Sequence, residues 1–433
     1  MNEIARVGVV GLGTVGSGVV RLLTDSTDQI TRHAGRQIHV ERTVCRDVHK
    51  KRNLPLSAEQ VSSDIESISR DPTISVAVLL VGGLEPARSM TIELLEHGKD
   101  IVTANKALLA EHGPELFELA RNNGRSIAFE ASIAGGIPIV AAISECLAAN
   151  RIQSIRGILN GTSNFILSTM EEDAADYSET LKRAQAEGYA EADPSMDVDG
   201  TDATQKLAIL AHLAFGQWVP WNDIPRTGIE HIDLDLIRFA NELGYRIRLI
   251  AIAQKGADGL AMRVAPTLVR IGTPLAETHG AFNAVSVLGD AVGPMFFHGL
   301  GAGQMPTASA VVADIIDTVV GRTAITFQTT GLLDADCSTH ALNKADRQER
   351  FFLRFHVTDK PGILAHITGI LGEHGISIAS VIQHEAPDTA ATGIPLVIMT
   401  HACSAQAIQN AMAAIEVAGV TQGMNTCLSV LDE

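Results

Sequence analysis

The run Gly11-Leu12-Gly13-Thr14-Val15-Gly16 lies between an apolar stretch at residues 4–10 and a helically spaced one at 14–23. It constrains the fold more than any other feature of the chain. A strand must enter a tight turn at Gly11, backbone N–H groups come forward beside Gly13, and Gly16 lets the next helix pack on the strand. The N-terminus of that helix presents positive potential to a phosphate, so the expected ligand is a dinucleotide. A merely structural glycine turn would be spelled the same way; the strand–turn–helix context favours the ligand.

The alternation continues past this motif. Apolar or β-branched runs at 38–45, 74–81, 101–104 and 127–130 are separated by helical stretches at 86–97 and 107–122. Strands alternating with helices of this length predict βαβ units and a doubly wound parallel sheet. Aromatics make up only 4% of the chain, so its cores are aliphatic, as strands buried on both faces require. The second strand ends in Arg46-Asp47, followed by Lys50, Lys51 and Arg52. An acid at this place suits the ribose hydroxyl of NAD, and an arginine suits the 2′-phosphate of NADP. Arg46 and the basic cluster favour NADP, Asp47 pulls toward NAD, and a solvated basic turn has the same composition.

From about residue 135 the pattern changes. An acid-rich loop at 187–202 precedes an apolar helix at 203–215, and runs at 246–253 and 260–269 read as strands of a second, open sheet. A helix at 308–320 is expected to return to the first domain. A polar stretch at 334–350 has the composition of a linker. Beyond it the order is strand 351–357, helix 363–374, strands 376–383 and 394–400, helix 405–417 and strand 427–430. That βαββαβ order is the ferredoxin-like unit.

A net charge of −17 repels a phosphate backbone, which argues against a nucleic-acid partner. The five cysteines form no CxxC pair and suggest a reducing cytoplasm. No apolar run reaches the ~18 residues that span a bilayer, so a soluble protein with no membrane partner is expected.

Within the acidic loop, Asp202 and Lys206 stand one helical turn apart at the mouth of the apolar helix. An exposed pair of this kind contributes about 0.3–0.5 kcal/mol and nothing more. Facing a cleft, the lysine could instead exchange a proton with an alcohol oxygen. From Ser195 the loop imitates a calcium-binding EF-hand as far as its glycine, but Lys206 occupies the place where that motif needs a bidentate Glu. Calcium is therefore the weaker reading. His212 and His298 read as packed side chains rather than ligands or bases.

Five longer runs are more specific: VTANK at 102–106, FEASIAGGIP at 129–138, GILNGTSNFIL at 157–167, AQAEGYAEADPSMDVDGTDATQKLAILA at 184–211, and GLGAGQMPTASAVVADI at 299–315. In this order they resemble the homoserine dehydrogenase family, and the DKPG turn at 359–362 resembles that of an ACT domain. The resemblance covers essentially the whole chain.

It implies an α/β chain with a Rossmann-like doubly wound parallel sheet, an α+β substrate and dimerisation domain, and a C-terminal ferredoxin-like ACT domain. The implied division is 1–133 for the nucleotide domain with a return helix at 304–325, 134–303 for the catalytic domain, a linker at 326–349, and 350–433 for the regulatory domain. The implied activity is NAD(P)-dependent interconversion of L-aspartate 4-semialdehyde and L-homoserine, in the biosynthesis of threonine, methionine and isoleucine.

The resemblance also assigns residues. Lys206 is the acid/base, Asp202 orients it, and Lys106 lies near nicotinamide and substrate. Glu191 binds the substrate ammonium, with Asp197 a second candidate. Gly11, Gly13, Thr14, Val15, Gly16, Arg46, Lys106 and Gly303 are the expected cofactor contacts. Main-chain oxygens of Glu130, Ile133, Gly135 and Ile137 are expected to hold a monovalent cation, sodium. A homodimer or homotetramer is implied, with threonine as effector of the ACT domain. Ser377 departs from an Asn common in that domain, which leaves the effector's identity open, and a purely dimerising role for the domain is the other reading. A cofactor sensor without turnover is the main rival in function, and another dehydrogenase of the pathway the nearer one. The joint presence of Lys106, Glu191, Asp202 and Lys206 argues against the sensor.

Overall fold

The computed structural model describes residues 4–256, 259–329, 348–384 and 393–432. Most of the expected linker, residues 330–347, lies outside the described residues.

Strands β1 (Ala5–Val10), β2 (Ile38–Val44), β3 (Val61–Ser62), β4 (Ile74–Leu79), β5 (Asp100–Thr103) and β6 (Ile127–Ala128) form a parallel sheet in the order β3-β2-β1-β4-β5-β6. Val7, Val9, Val76, Val78 and Val102 are buried in it, as strands covered on both faces require. Strand order reverses between β1 and β4, so a crevice opens at their carboxyl ends. With two residues, β3 has no period for a sequence reading to detect.

The helix Gln304–Val319 returns to this sheet and packs on the helix Thr14–Asp25. A Cβ at Gly18 would meet Gln304 and the Ala308 Cβ at 3.0 Å, so the two backbones are nearly in contact there. The Gln304 amide donates to the Thr14 carbonyl at 2.8 Å.

The second sheet begins as antiparallel strands β7 (Ile152–Ile158), β8 (Tyr245–Gly256), β9 (Gly259–Arg270), β10 (Phe282–Gly289) and β11 (Gly293–Leu300). It continues into β12 (Gln348–Val357), β13 (Ile378–Gln383), β14 (Ile394–Thr400), β15 (Cys403–Ser404) and β16 (Thr426–Leu431). Its order is β11-β10-β7-β8-β9-β16-β12-β14-β13, with β15 beside β12. The C-terminal unit is therefore the ferredoxin-like βαββαβ unit, with helices Ile363–Glu373 and Ala405–Ala418 packed together on its sheet.

The join is parallel pairing of Thr267, Leu268 and Val269 in β9 with Ser429, Val430 and Leu431 in β16. Side chains reinforce it: Arg263 pairs with Glu349 at 2.5 Å, buried Arg354 pairs with Asp233 at 2.7 Å, and Asp432, itself paired with Arg350, accepts from the Tyr245 hydroxyl at 2.7 Å. The sequence marks these strands individually, but a strand's partner has no local spelling.

Three helices of the middle region, Gly161–Asp173, Tyr177–Ala186 and Leu234–Glu242, went unmarked in the sequence. The first is buried from Thr162 to Met170, so it has no polar face and no amphipathic period. Among the described residues, no helix is long and apolar enough to cross a membrane.

Candidate active site

The helix Thr201–Phe215 is buried from Thr201 through Leu213. Gly200 caps its start at φ +85°, a left-handed conformation that disfavours a side chain. One turn apart on the same face, Asp202 and Lys206 are 3% and 8% exposed. The exposed-pair reading is thereby excluded.

Lys206 Nζ donates to Asp202 Oδ2 and to the Leu159 carbonyl, each at 2.7 Å. Lys106 Nζ meets the other oxygen of Asp202, Oδ1, at 2.7 Å. One carboxylate therefore bridges a lysine of the parallel-sheet domain and a lysine of the middle region.

Lys106 owes its place to its neighbour. It opens the helix Lys106–Asn122 just beyond the carboxyl end of β5. Asn105 caps this helix by accepting from the Leu108 N–H at 3.0 Å, and its amide donates to the carbonyls of Val81 and Gly83. The cap thus fixes the helix start to the loop after β4, beside the crevice.

Asn160, which the sequence reading left out, caps the helix Gly161–Asp173 in the same manner, accepting from the Ser163 N–H at 2.7 Å. Its Nδ2 donates to Asp197 Oδ1 at 2.7 Å and to Asp202 Oδ2 at 2.8 Å. An Asn before a helix is a cap signal. Its reach to two acids 37 and 42 positions away has no sequence signal at all.

Lys106, Asp197, Asp202 and Lys206 thus come together. Glu191 stands exposed on the loop above, where its charge helps to keep Lys106 protonated. His212 does not join them: its ring packs 5.2 Å from Trp218 and 6.3 Å from Phe117. His298 stacks on Phe282 at 4.9 Å.

The cluster divides its protons unevenly. Burial pushes the Asp202 carboxyl up, but the ammonium groups of Lys206 and Lys106 overcome this and hold it well below the usual range. The Asp202 charge raises Lys106, against burial. Burial lowers Lys206, the Lys106 charge adds to the effect, and Asp202 only partly offsets it. Burial and the neighbouring Asp202 charge raise Asp197. One lysine is thus a fixed positive charge, and the other releases its proton more readily than a free lysine does.

The glycine turn fits a dinucleotide. Gly11 has φ +100°, and a Cβ on Gly16 would overlap the Gly11 carbonyl. Over Gly13 a Cβ would meet nothing within 4 Å, so no neighbour in the fold requires this glycine and the space is open to a ligand. Gly16→Ala is accordingly expected to cost about 1–3 kcal/mol of stability by overpacking. Gly13→Ala should leave stability unchanged and weaken only the cofactor. Urea midpoints set beside cofactor KM values check the contrast, and equal midpoints for the two variants would contradict it.

Beside the turn, Arg46 is exposed at the end of β2. The Asp47 carboxylate accepts the N–H groups of His49 and Lys50, both at 3.0 Å. Arg52 donates to the carbonyls of Leu12, Asp47 and Lys50, which pins the basic loop to the glycine turn.

Two further glycine loops interlock. Gly135 has φ +57° and a Cβ there would overlap the Gly301 carbonyl, while Gly136 N–H donates to Leu300 at 3.0 Å. Gly303 caps the returning helix at φ +123°, next to the residue that bonds Thr14.

The Glu130 carboxylate is committed to the N–H groups of Val140 and Ala141, both at 2.8 Å. Among the described residues, no hydrogen bond reaches the carbonyls of Ile133 and Gly135. Those of Glu130 and Ile137 accept turn bonds from Ile133 at 3.4 Å and Ile139 at 2.9 Å. Main-chain oxygens with spare lone pairs fit a hard monovalent cation. Among the described residues, no group of three or more His, Cys, Asp or Glu side chains is placed to hold a metal.

Comparison with known proteins agrees with this geometry. Residues 11–130 match the family model described as "Homoserine dehydrogenase, NAD binding domain", residues 138–316 the "Homoserine dehydrogenase" model, and residues 351–419 the ACT domain model. The chain is 41% identical to the homoserine dehydrogenase of Pseudomonas aeruginosa, over 95% of each chain. It is 43% identical to that of Synechocystis, over 92% of each. The crystal structure of a homoserine dehydrogenase from Thiobacillus denitrificans superposes with a TM-score of 0.91 at 39% identity, over 99% of each chain. With an NAD(P)-binding sheet, a lysine–aspartate–lysine cluster built on a buried carboxylate at its edge and an ACT domain joined to the second sheet, this chain belongs to the homoserine dehydrogenase family, oxidoreductases that act on a CH–OH group.

Proposed function

We propose that the chain interconverts L-aspartate 4-semialdehyde and L-homoserine with Lys206 as the group that exchanges a proton with the C4 oxygen. The observation that carries this is the Asp202 bridge, which holds Lys206 at 2.7 Å while burial loosens its proton. Bound nicotinamide supplies or accepts the hydride. In reduction Lys206 gives its proton to the developing alkoxide, and Lys106, held charged by Asp202, stabilises the same oxygen. Asp202 and the Leu159 carbonyl keep the Lys206 ammonium aimed. Glu191 and Asp197 receive the substrate's α-ammonium; both carboxylates lie near enough to Lys106 to favour a positive charge there, which supports this. Oxidation of NAD(P)H by aspartate semialdehyde is the direct assay, and no turnover in either direction would favour the sensor.

The cofactor contacts are the glycine turn (Gly11, Gly13, Thr14, Val15 and Gly16), Lys106 and Gly303, with Arg46 on a 2′-phosphate. NADP is favoured because one Asp47 oxygen is already taken by two backbone N–H groups, whereas Arg46 is exposed on a loop that Arg52 anchors. Arg46→Ala should lower kcat/KM for NADPH about tenfold or more, the range of a hydrogen bond to a charged group. NADH should be nearly unaffected. An equal loss with both cofactors would place Arg46 elsewhere.

The carbonyls of Glu130, Ile133, Gly135 and Ile137 are the proposed sodium ligands. The effector site is a cavity of about 300 Å³ lined by the turn from Asp359 to Gly362 together with Gln383 and Leu396. Threonine is the proposed effector. The edge strand β11 exposes Met295, Phe296 and Leu300, which supports pairing with a second copy in a homodimer or a homotetramer. Among the described cysteines, Cys45, Cys146, Cys403 and Cys427 are free thiols, which suits the cytoplasm.

A further inference from the structure

We infer that Asn160 is a positioning residue that ties the amino-acid end of the substrate site to its proton-transfer end. The inference rests on the roles proposed above for Asp197, Asp202 and Lys206.

Asn160 is 4% exposed, and both donor hydrogens of its amide are committed. Both Nδ2 protons go to acids, one to Asp197 at 2.7 Å and one to Asp202 at 2.8 Å, while Oδ1 accepts from the Ser163 N–H. The residue before it takes the other half of the catalytic pair: the Leu159 carbonyl accepts from Lys206 at 2.7 Å and from the Asn283 amide at 3.1 Å. Two consecutive residues therefore grip the carboxylate and the ammonium of one ion pair. Ser163 extends the grip, its hydroxyl donating to the Asp197 main-chain carbonyl at 2.7 Å.

The chemistry at this point requires a neutral donor. Asp197 and Asp202 carry like charges close enough for Asp202 to raise Asp197. A donor shared between them favours the charged form of both. It also fixes their separation, and with it the distance from the ammonium site to the group that protonates C4. A carboxylate at position 160 would keep the size and the helix cap but place a third negative charge between the two. A serine would keep the cap and lose the reach.

Asn160→Ser and Asn160→Asp separate these possibilities, since both residues cap helices well. The readouts are the melting temperature, the cofactor KM, kcat with homoserine, and the pH profile of kcat/KM for aspartate semialdehyde, in which Lys206 governs the basic limb and leaves the acid limb to Asp197. Asn160→Ser is expected to melt near the parent and to keep the cofactor KM. Its kcat should fall about ten- to a hundredfold, the scale of an ångström-sized misplacement. The acid limb of its profile should move to higher pH, because Asp197 without its donor protonates sooner. Asn160→Asp should move that limb further.

A purely structural cap predicts otherwise. If Asn160→Ser keeps the parental kcat and acid limb, or loses activity only in proportion to melting temperature and cofactor affinity, the inference is overturned. Absence of homoserine turnover in the parent would overturn the proposed function instead, so the two failures are distinguishable.

Discussion

Lys206→Ala is expected to lower kcat by about 10²–10⁴-fold in both directions, the range that a positioned acid or base supplies, while the protein still folds and still binds its cofactor. Folding survives because Asp202 keeps Lys106 at 2.7 Å and the Asn160 amide at 2.8 Å, so no buried charge is left without a partner. The Leu159 carbonyl keeps the Asn283 donor. Alanine is also the best helix former.

The pH profile identifies the missing group. Burial lowers Lys206 from the ordinary lysine value, so its protonated fraction falls at a pH where a free lysine would still be charged. Reduction needs the proton and should slow as pH rises through that lowered value; oxidation needs the free amine and should quicken. Both limbs should vanish in Lys206→Ala. Near-full turnover, or an unchanged profile, would remove Lys206 from the mechanism.

Asp202→Asn should cost more in stability than any other single change in the site. The substitution leaves two ammonium groups, one of them buried, without the carboxylate that bonds both. Breaking a buried ion pair by removing one partner costs about 3–5 kcal/mol. Lys206 would then shed its proton, so kcat for reduction should fall as well.

The sign of the pH dependence follows from the Asp202 shift. Its carboxyl lies below its unfolded value in the native state, so its contribution is complete above an unfolded value of about 4 and fades as pH falls below it. The gap between parent and Asp202→Asn in urea midpoint should be wide at neutral pH and narrow in acid. A gap that is absent at neutral pH, or that does not depend on pH, would mean that this carboxylate is not the counter-ion of the cluster.

The parts legible in the sequence are those with a local period. The glycine turn, the alternation from β1 to β6 and the one-turn spacing of Asp202 and Lys206 all lie within a few residues of one another. The sequence left open whether that pair faces solvent, and burial of the helix on every side settles it. The Asn160 bridge, the Asn105 cap on the loop after β4 and the Leu159 acceptor were illegible for a common reason. Each depends on distant chain segments or on a main-chain carbonyl, which every residue possesses. Glu191 and Asp197 looked equivalent as acids of one loop, and the fold distinguishes them: Asp197 bonds Asn160, and Glu191 stays at the rim.

The pairing of β9 with β16 has a consequence for biosynthesis. Thr267 finds Ser429 only after all the intervening chain has left the ribosome. Until then the nascent protein carries a bare strand edge on β9, open to annealing with the same edge of a neighbouring chain on a polysome. Cells that overproduce the protein should therefore lose yield to aggregation during translation, and slower elongation just before β16 would lengthen that exposure.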